Sequence, residues 1–339
     1  MEFIDMIPNI VKGFGIKPKD IVLLNFWGEI EDFNILNKFS LEISKGGGIP
    51  IPWQESRRYM KDYFTEVPEE YLVFPEEYFN IFGSIDVVVD IFTYTILPSH
   101  DFPMDKRNSY KEYLASLFKA LSSNSKKFIQ VRIPTEEISI SEDVEYNLFK
   151  ESLNKAFDVD YDIMVKNADS LIEKVGTASR IAVFSGDSSM LTFSIEGRKW
   201  YKDLGDGDVP CGEIYIAPVE KSAEGDVFIQ QFYLEGKLFN DVLLHFSRGK
   251  LIECSEDEII DFIREFPGDC DIIGEFGIGV NYKIERVIGY AVHDEKIKGA
   301  VHIAVGMNEM FGGKNKSPLH MDFIFKPYRV LADGREVEI

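Results

Sequence analysis

Along the first half of the chain, continuous β-branched runs alternate with segments of helical periodicity. Asp20-Ile21-Val22-Leu23-Leu24-Asn25 reads as a buried strand, and Ile85-Asp86-Val87-Val88-Val89-Asp90-Ile91 has the texture of a central one. A short apolar helix ends near Gly13-Phe14-Gly15, and a second around Asp32–Lys45 stops at Gly46-Gly47-Gly48. Ile49-Pro50-Ile51 is a further strand candidate, and a helix over 108–123 followed by a strand at Lys127–Ile133 repeats the alternation. This βαβα order predicts an open sheet with helices on both faces. The expectation is an α/β N-terminal domain over residues 1–175.

The segment Tyr161–Val175 places Ile163, Met164, Ala168, Leu171 and Ile172 at helical spacing and links the two halves. Beyond it the chain becomes strand-rich, with runs at Arg180–Ser185, Ser189–Ile195, Glu213–Ile216, Val227–Tyr233 and Val242–Ser247. Gly, Asp and Asn cluster between them. Residues 176–339 are therefore expected to form an α+β domain dominated by antiparallel strands.

Composition narrows the function. A length of 339 residues suits two domains, each with its own core. The net charge of -21, from 37 basic and 58 acidic residues, argues against nucleic acid, which needs a positive surface. Three cysteines, Cys211, Cys254 and Cys270, form no CxxC pair and give no disulfide framework. The opening residues lack the basic and apolar regions of a signal peptide, and no run reaches the roughly 18 apolar residues of a membrane span. A cytoplasmic protein with no membrane partner is the expectation.

The chemistry concentrates near the C-terminus, where three of the five histidines lie between residues 293 and 320. In Leu319-His320-Met321-Asp322-Phe323, residues i and i+2 of a strand share a face, so His320 and Asp322 point together. An imidazole beside a carboxylate suits a divalent cation; a His–Asp ion pair on a solvated face is the alternative. His302 stands in the alternating run Ala300-Val301-His302-Ile303-Ala304, among small residues that leave room for an ion, or as a satisfied core histidine. Glu275, in Ile273-Gly274-Glu275-Phe276-Gly277, and Glu213, in Gly212-Glu213-Ile214-Tyr215, sit among apolar residues. A glutamate buried there must pair or coordinate; either also reads as a surface residue at a strand end. The three carboxylates and two neutral imidazoles carry -3, nearly balancing two divalent ions at +4, with one carboxylate bridging.

Residues 175–339 resemble the aminopeptidase T and aminopeptidase S group of metallopeptidases. The matching segments are Phe193-Ser194-Ile195-Glu196-Gly197-Arg198, Gly212–Pro218, Ile273–Gly279, Asp294-Glu295-Lys296, His302–Gly306, Gly312-Gly313-Lys314-Asn315-Lys316-Ser317 leading to His320-Met321-Asp322, and Asp333-Gly334. The resemblance places Glu213, Glu275, His302, His320 and Asp322 on a dinuclear metal site, with Glu275 as catalytic residue and bridging carboxylate. It implies two divalent ions (zinc, cobalt or manganese), release of N-terminal residues from peptides through a metal-bridged hydroxide, and a homodimer.

One position departs from that group. Its peptidases carry a tyrosine seven residues after the first motif histidine to stabilise the oxyanion, and Glu309 stands there in this chain. Arg198, Lys296, Lys314, Tyr215 and Tyr282 are the candidate replacements. The departure keeps a second reading open. A divergent branch of the same fold is similar to 2,5-dihydroxypyridine dioxygenase, whose single non-haem Fe(II) needs two histidines and a carboxylate, as His302, His320 and Asp322 offer. Glu213 and Glu275 count against it.

Overall fold

A computed structural model describes residues 2–96, 98–186 and 188–339. The chain forms two compact units. The first comprises residues 1–141, 145–158 and 205–210, and the second 142–144, 159–204 and 211–339.

The first unit is built on a parallel sheet of β1 (Ile21–Trp27), β2 (Ile49–Gln54), β3 (Val87–Phe92), β4 (Lys127–Arg132) and the short β8 (Asp208–Val209), in the order β2-β1-β3-β4-β8. Every residue of β3 and six of the seven in β1 are buried, which is why both appear in the sequence as unbroken apolar runs rather than alternating ones. The helix Phe33–Lys45 ends at Gly46, matching the three-glycine stop. The helix Arg107–Asn124 lies between β3 and β4. The N-terminal region is thus α/β, as the alternation predicts.

The second unit is strand-rich and opens on the helix Tyr161–Val175. Asp160 caps that helix by accepting from the Asp162 and Ile163 amides. Its strands are β5 (Arg180–Ser185), β6 (Ser189–Ser194), β7 (Tyr201–Asp203), β9 (Glu213–Ile216), β10 (Glu224–Leu234), β11 (Lys237–Ser247), β12 (Lys250–Cys254), β13 (Ile273–Gly279), β14 (Val301–Gly306), β15 (His320–Phe325), β16 (Arg329–Ala332) and β17 (Arg335–Val337). They form two sheets, ordered β12-β11-β10-β6-β5-β16-β17 and β15-β14-β13-β9-β7, with antiparallel pairing throughout. β10 and β11 run longer than the sequence pattern indicates, because Glu235 and Gly236, both at positive φ, close a two-residue hairpin turn.

One apolar core fills the space between the two sheets. Ile214, Ile216, Phe276, Ile278, Val301, Ile303, Val305, Phe323 and Phe325 of the smaller sheet meet Ile181, Val183, Leu191, Phe193 and Leu244 of the larger. Alternation therefore commits the even-numbered residues of β9 and β13 and the odd-numbered residues of β14 and β15 to the core. The other face of the smaller sheet is left for chemistry. Among the described residues no helix is long and apolar enough to cross a membrane, and all three cysteines are free thiols.

Candidate metal centre

Register, rather than proximity in sequence, assembles the site. Across the smaller sheet Asp203 pairs with Glu213, Gly277 with Tyr215 and His302, Ala304 with Glu275 and Asp322, and Gly306 with His320. All five ligand candidates consequently stand on the face opposite the core. Small residues (Gly277, Gly279, Ala304 and Gly306) occupy the positions between them, so the long side chains rise over a flat floor.

The five come within contact distance. His302 Nε2 lies 3.2 Å from Glu213 Oε2 and 3.2 Å from Glu275 Oε1. The other oxygen of Glu275 is 3.5 Å from His320 Nε2, which is 3.6 Å from Asp322 Oδ1. Glu275 thus stands between the two imidazoles, one oxygen toward each. A fourth carboxylate joins them: Glu295 lies close enough to His302 and Asp322 for one ion to be shared.

The two imidazoles are oriented by different means. His320 donates its Nδ1 proton to the Met307 carbonyl at 2.8 Å, which turns the Nε2 lone pair toward the carboxylates. His302, wholly buried, occupies the space that a side chain on Gly277 would take: a Cβ there would stand 2.0 Å from its Nε2. The loop after β14 is braced by amides. Asn308 donates to the Gly274 carbonyl and accepts from the Asn315 amide, while Asn315 donates to the carbonyls of Ile273 and Gly306.

Electrostatics follow from burial and from the excess of carboxylates. Burial pushes Glu275 above the usual carboxylate range, against the His302 bond that favours its charged form. Burial likewise raises Glu295 to about 8. For the histidines burial acts the other way and is outweighed. The Glu275 bond and the charges of Glu213 and Asp322 raise His302 to about 9, and Asp322 and Glu275 raise His320 to about 10. Asp322 is itself buried, but the imidazolium charge of His320 holds it down at about 2. Lys296, 1% exposed, supplies a fixed positive charge, with its ammonium 2.5 Å from Glu213, 2.8 Å from Glu295 and 3.4 Å from Asp203.

The donor set suits a divalent metal. Glu213 Oε2, Asp322 Oδ1 and His302 Nδ1 are buried with no hydrogen-bond partner among the described residues. Orphaned carboxylate oxygens facing imidazole Nε2 atoms are costly without a cation and are the usual ligands with one.

Residues 178–339 match the sequence profile of the thermophilic metalloprotease (M29) family. Over its whole length the chain shares its fold with wild-type AmpT from Thermus thermophilus, at a TM-score of 0.68 and 16% identity, covering 99% of this chain and 98% of that one. It is also similar in fold to 2,5-dihydroxypyridine dioxygenase from Pseudomonas putida KT2440, at a TM-score of 0.63 and 14% identity, covering 99% and 95%. No curated protein sequence matches it.

Within the matched region, several motif residues hold loops and strand ends through hydrogen bonds and ion pairs. Asp294 accepts from the Ile288 and Gly289 amides, and Asp333 from those of Ser179 and Arg180. Arg198 binds Glu220 at 2.6 Å and the Gly312 carbonyl. Lys314 is exposed. Tyr282 accepts the Asp160 amide through its hydroxyl, which ties it to a helix end. Glu309 is half exposed and lies 3.6 Å from Lys316. Of the candidate replacements for the missing tyrosine, Tyr215 stands on the metal face, stacked on Tyr201 and edge-on to Phe311, and Lys296 sits beneath Glu213. Glu295 escaped the sequence reading as a site residue; its signal was its place between Asp294 and Lys296 in a matching segment.

Proposed function

We propose that this chain is a metal-dependent aminopeptidase whose two divalent ions, zinc, cobalt or manganese, are held by Glu213, Glu275, His302, His320 and Asp322. The observation that carries the reading is Glu275, buried between two imidazoles with one oxygen toward each. Glu213 and His302 supply donors on one side of it, His320 and Asp322 on the other. The M29 profile and the fold shared with AmpT support the same chemistry.

Divalent ions bound there supply Lewis acidity toward a scissile carbonyl and acidify a water at neutral pH. The chain's own residues prepare the place. Gly277 leaves room for the His302 imidazole, and the His320–Met307 hydrogen bond fixes where His320 points. Lys296 holds Glu213 and offsets part of the carboxylate charge, so that the cluster does not repel itself apart. Glu275 is the proposed catalytic carboxylate, and Glu295, with its affinity for a proton raised by burial, is a second acid–base group within reach of His302 and Asp322. The acidic surroundings favour a substrate with a free, cationic amino terminus. A homodimer in the cytoplasm remains the proposed context.

The test is metal analysis of protein purified without chelators, alongside hydrolysis of aminoacyl chromogenic substrates. Two divalent ions per chain with turnover supports the proposal. One iron per chain with cleavage of a dihydroxypyridine would move the assignment to a dioxygenase, leaving Glu213 without a role.

A further inference from the structure

Two neighbouring cavities lie within residues 230–326, and the smaller of them reaches the proposed metal site. The larger encloses about 360 Å³ and is walled by Ile284, Val287, Ile297, Ala300, Ile324 and Phe325. The smaller, about 40 Å³, shares Gln231, Val287 and Ile324 with it and reaches Asp322. The larger is at the small end of the roughly 300–1,000 Å³ typical of small-ligand sites.

The register fixes where this pocket lies relative to the chemistry. Ala300 precedes His302 by two residues on β14 and its approach, and Ile324 follows Asp322 by two on β15, so all four share one face. Two residues of strand advance about 6.6 Å. A peptide advances about 3.3–3.6 Å per residue, so a residue flanking a bond held at the metal site brings its side chain to the pocket mouth. The wall there is mainly aliphatic, from Ile284, Val287, Ile297, Ala300 and Ile324, with Gln230 and Gln231 as its uncharged polar members.

The rim adds a second requirement. Lys298 and Lys326 both line the pocket, both are exposed, and neither has an ion-pair partner among the described residues; Glu285 is the one acidic residue of the lining. In a chain of net charge -21, two unpaired ammonium groups at one mouth mark a place for an anion. On a peptide that ends at this point, the anion is the C-terminal carboxylate.

We propose that this pocket is the leaving-side subsite and selects dipeptides. It takes the bulky apolar side chain of the second residue while Lys298 and Lys326 meet that residue's carboxylate. This rests on the aminopeptidase reading and deepens it.

The experiment compares kcat/KM of the metal-loaded protein for Ala-Leu, Ala-Gly and Ala-Leu amide, and measures binding of a reduced-amide Ala-Leu analogue to metal-free protein by calorimetry. Expected are a preference for Ala-Leu over Ala-Gly on the order of 10- to 100-fold and a several-fold loss on amidation. Val287→Trp, which fills the pocket, erases the Leu preference and weakens analogue binding while metal content stays the same. Replacing both lysines by alanine removes the discrimination against the amide. Equal rates for Ala-Leu and Ala-Gly, or a Leu preference that survives Val287→Trp, overturns the proposal. If no peptide is cleaved, the aminopeptidase reading fails; analogue binding still decides the pocket, and analogue binding unaffected by Val287→Trp overturns it.

Discussion

Gly277 and His302 face each other across β13 and β14, and the absent side chain of the first makes room for the imidazole of the second. Gly277 has an ordinary strand conformation, so the constraint is steric and not one of backbone freedom. Gly277→Ala should therefore fold, yet push His302 off its position. The expected result is a fall in metal affinity of about 10- to 100-fold, the range seen when a ligand loses its orientation. Metal titration with circular dichroism as the folding control measures it, and unchanged affinity removes His302 from the site.

In the proposed centre, Glu275 serves both halves. Glu275→Gln keeps its shape and removes the charge, so the protein should stay folded, bind less metal and lose hydrolysis of aminoacyl substrates. Asp322→Asn touches one half alone and should weaken metal binding to a smaller extent. Turnover unaffected by Glu275→Gln, or identical titrations for Asp322→Asn and the unaltered protein, would contradict the ligand assignment.

Lys296 is enclosed by Glu213, Glu295 and Asp203. Lys296→Met leaves buried carboxylates uncompensated, a loss of about 3–5 kcal/mol when one partner of a buried ion pair is removed. Thermal denaturation should show that destabilisation in metal-free protein and a smaller one with metal present, because the bound cations take over the compensation. A destabilisation that is the same in both states would show that Lys296 is uncoupled from the metal site.

The pH dependence of the first unit should be governed in part by Asp90, far in sequence from the metal residues. It lies on β3 opposite Asn25 of β1, which donates to it at 2.6 Å, and burial raises its carboxyl to about 7. The fold favours the protonated form. Its contribution is full below the ordinary value of 3.8 and is lost as pH rises through about 7, on the order of 4 kcal/mol across that window. Asp90→Asn, which keeps the acceptor oxygen, should flatten this slope and be the more stable protein above pH 7. Parallel slopes for the two proteins would show that Asp90 is charged in the fold.

Much of this was readable from the chain. The β-branched run at residues 85–91 is β3 and the alternation around His320 is β15, because burial of one face or both leaves a direct imprint on residue type. The helix at 161–175 is legible for the same reason. The sequence pattern does not announce the helices Arg57–Glu66, Tyr146–Phe157 and Asp257–Arg264, because each is short and its apolar residues are spaced among charged ones. β8 has two residues and joins the parallel sheet from the far side of three intervening strands, so no periodicity announces it. At the site, His320 and Asp322 were paired by strand alternation alone. Glu213, Glu275 and His302 needed the cross-strand register, which a single sequence does not contain, and the ordered motifs stood in for it. Glu295 precedes β14 and follows a single helical turn, so no face could be assigned to it.

The most direct test of the account is the metal content of protein isolated without chelator, measured by elemental analysis beside the Glu275→Gln variant. Two divalent ions per chain are expected in the unaltered protein, and a reduced count in the variant. A single iron per chain, retained when Glu275 is replaced, would contradict it.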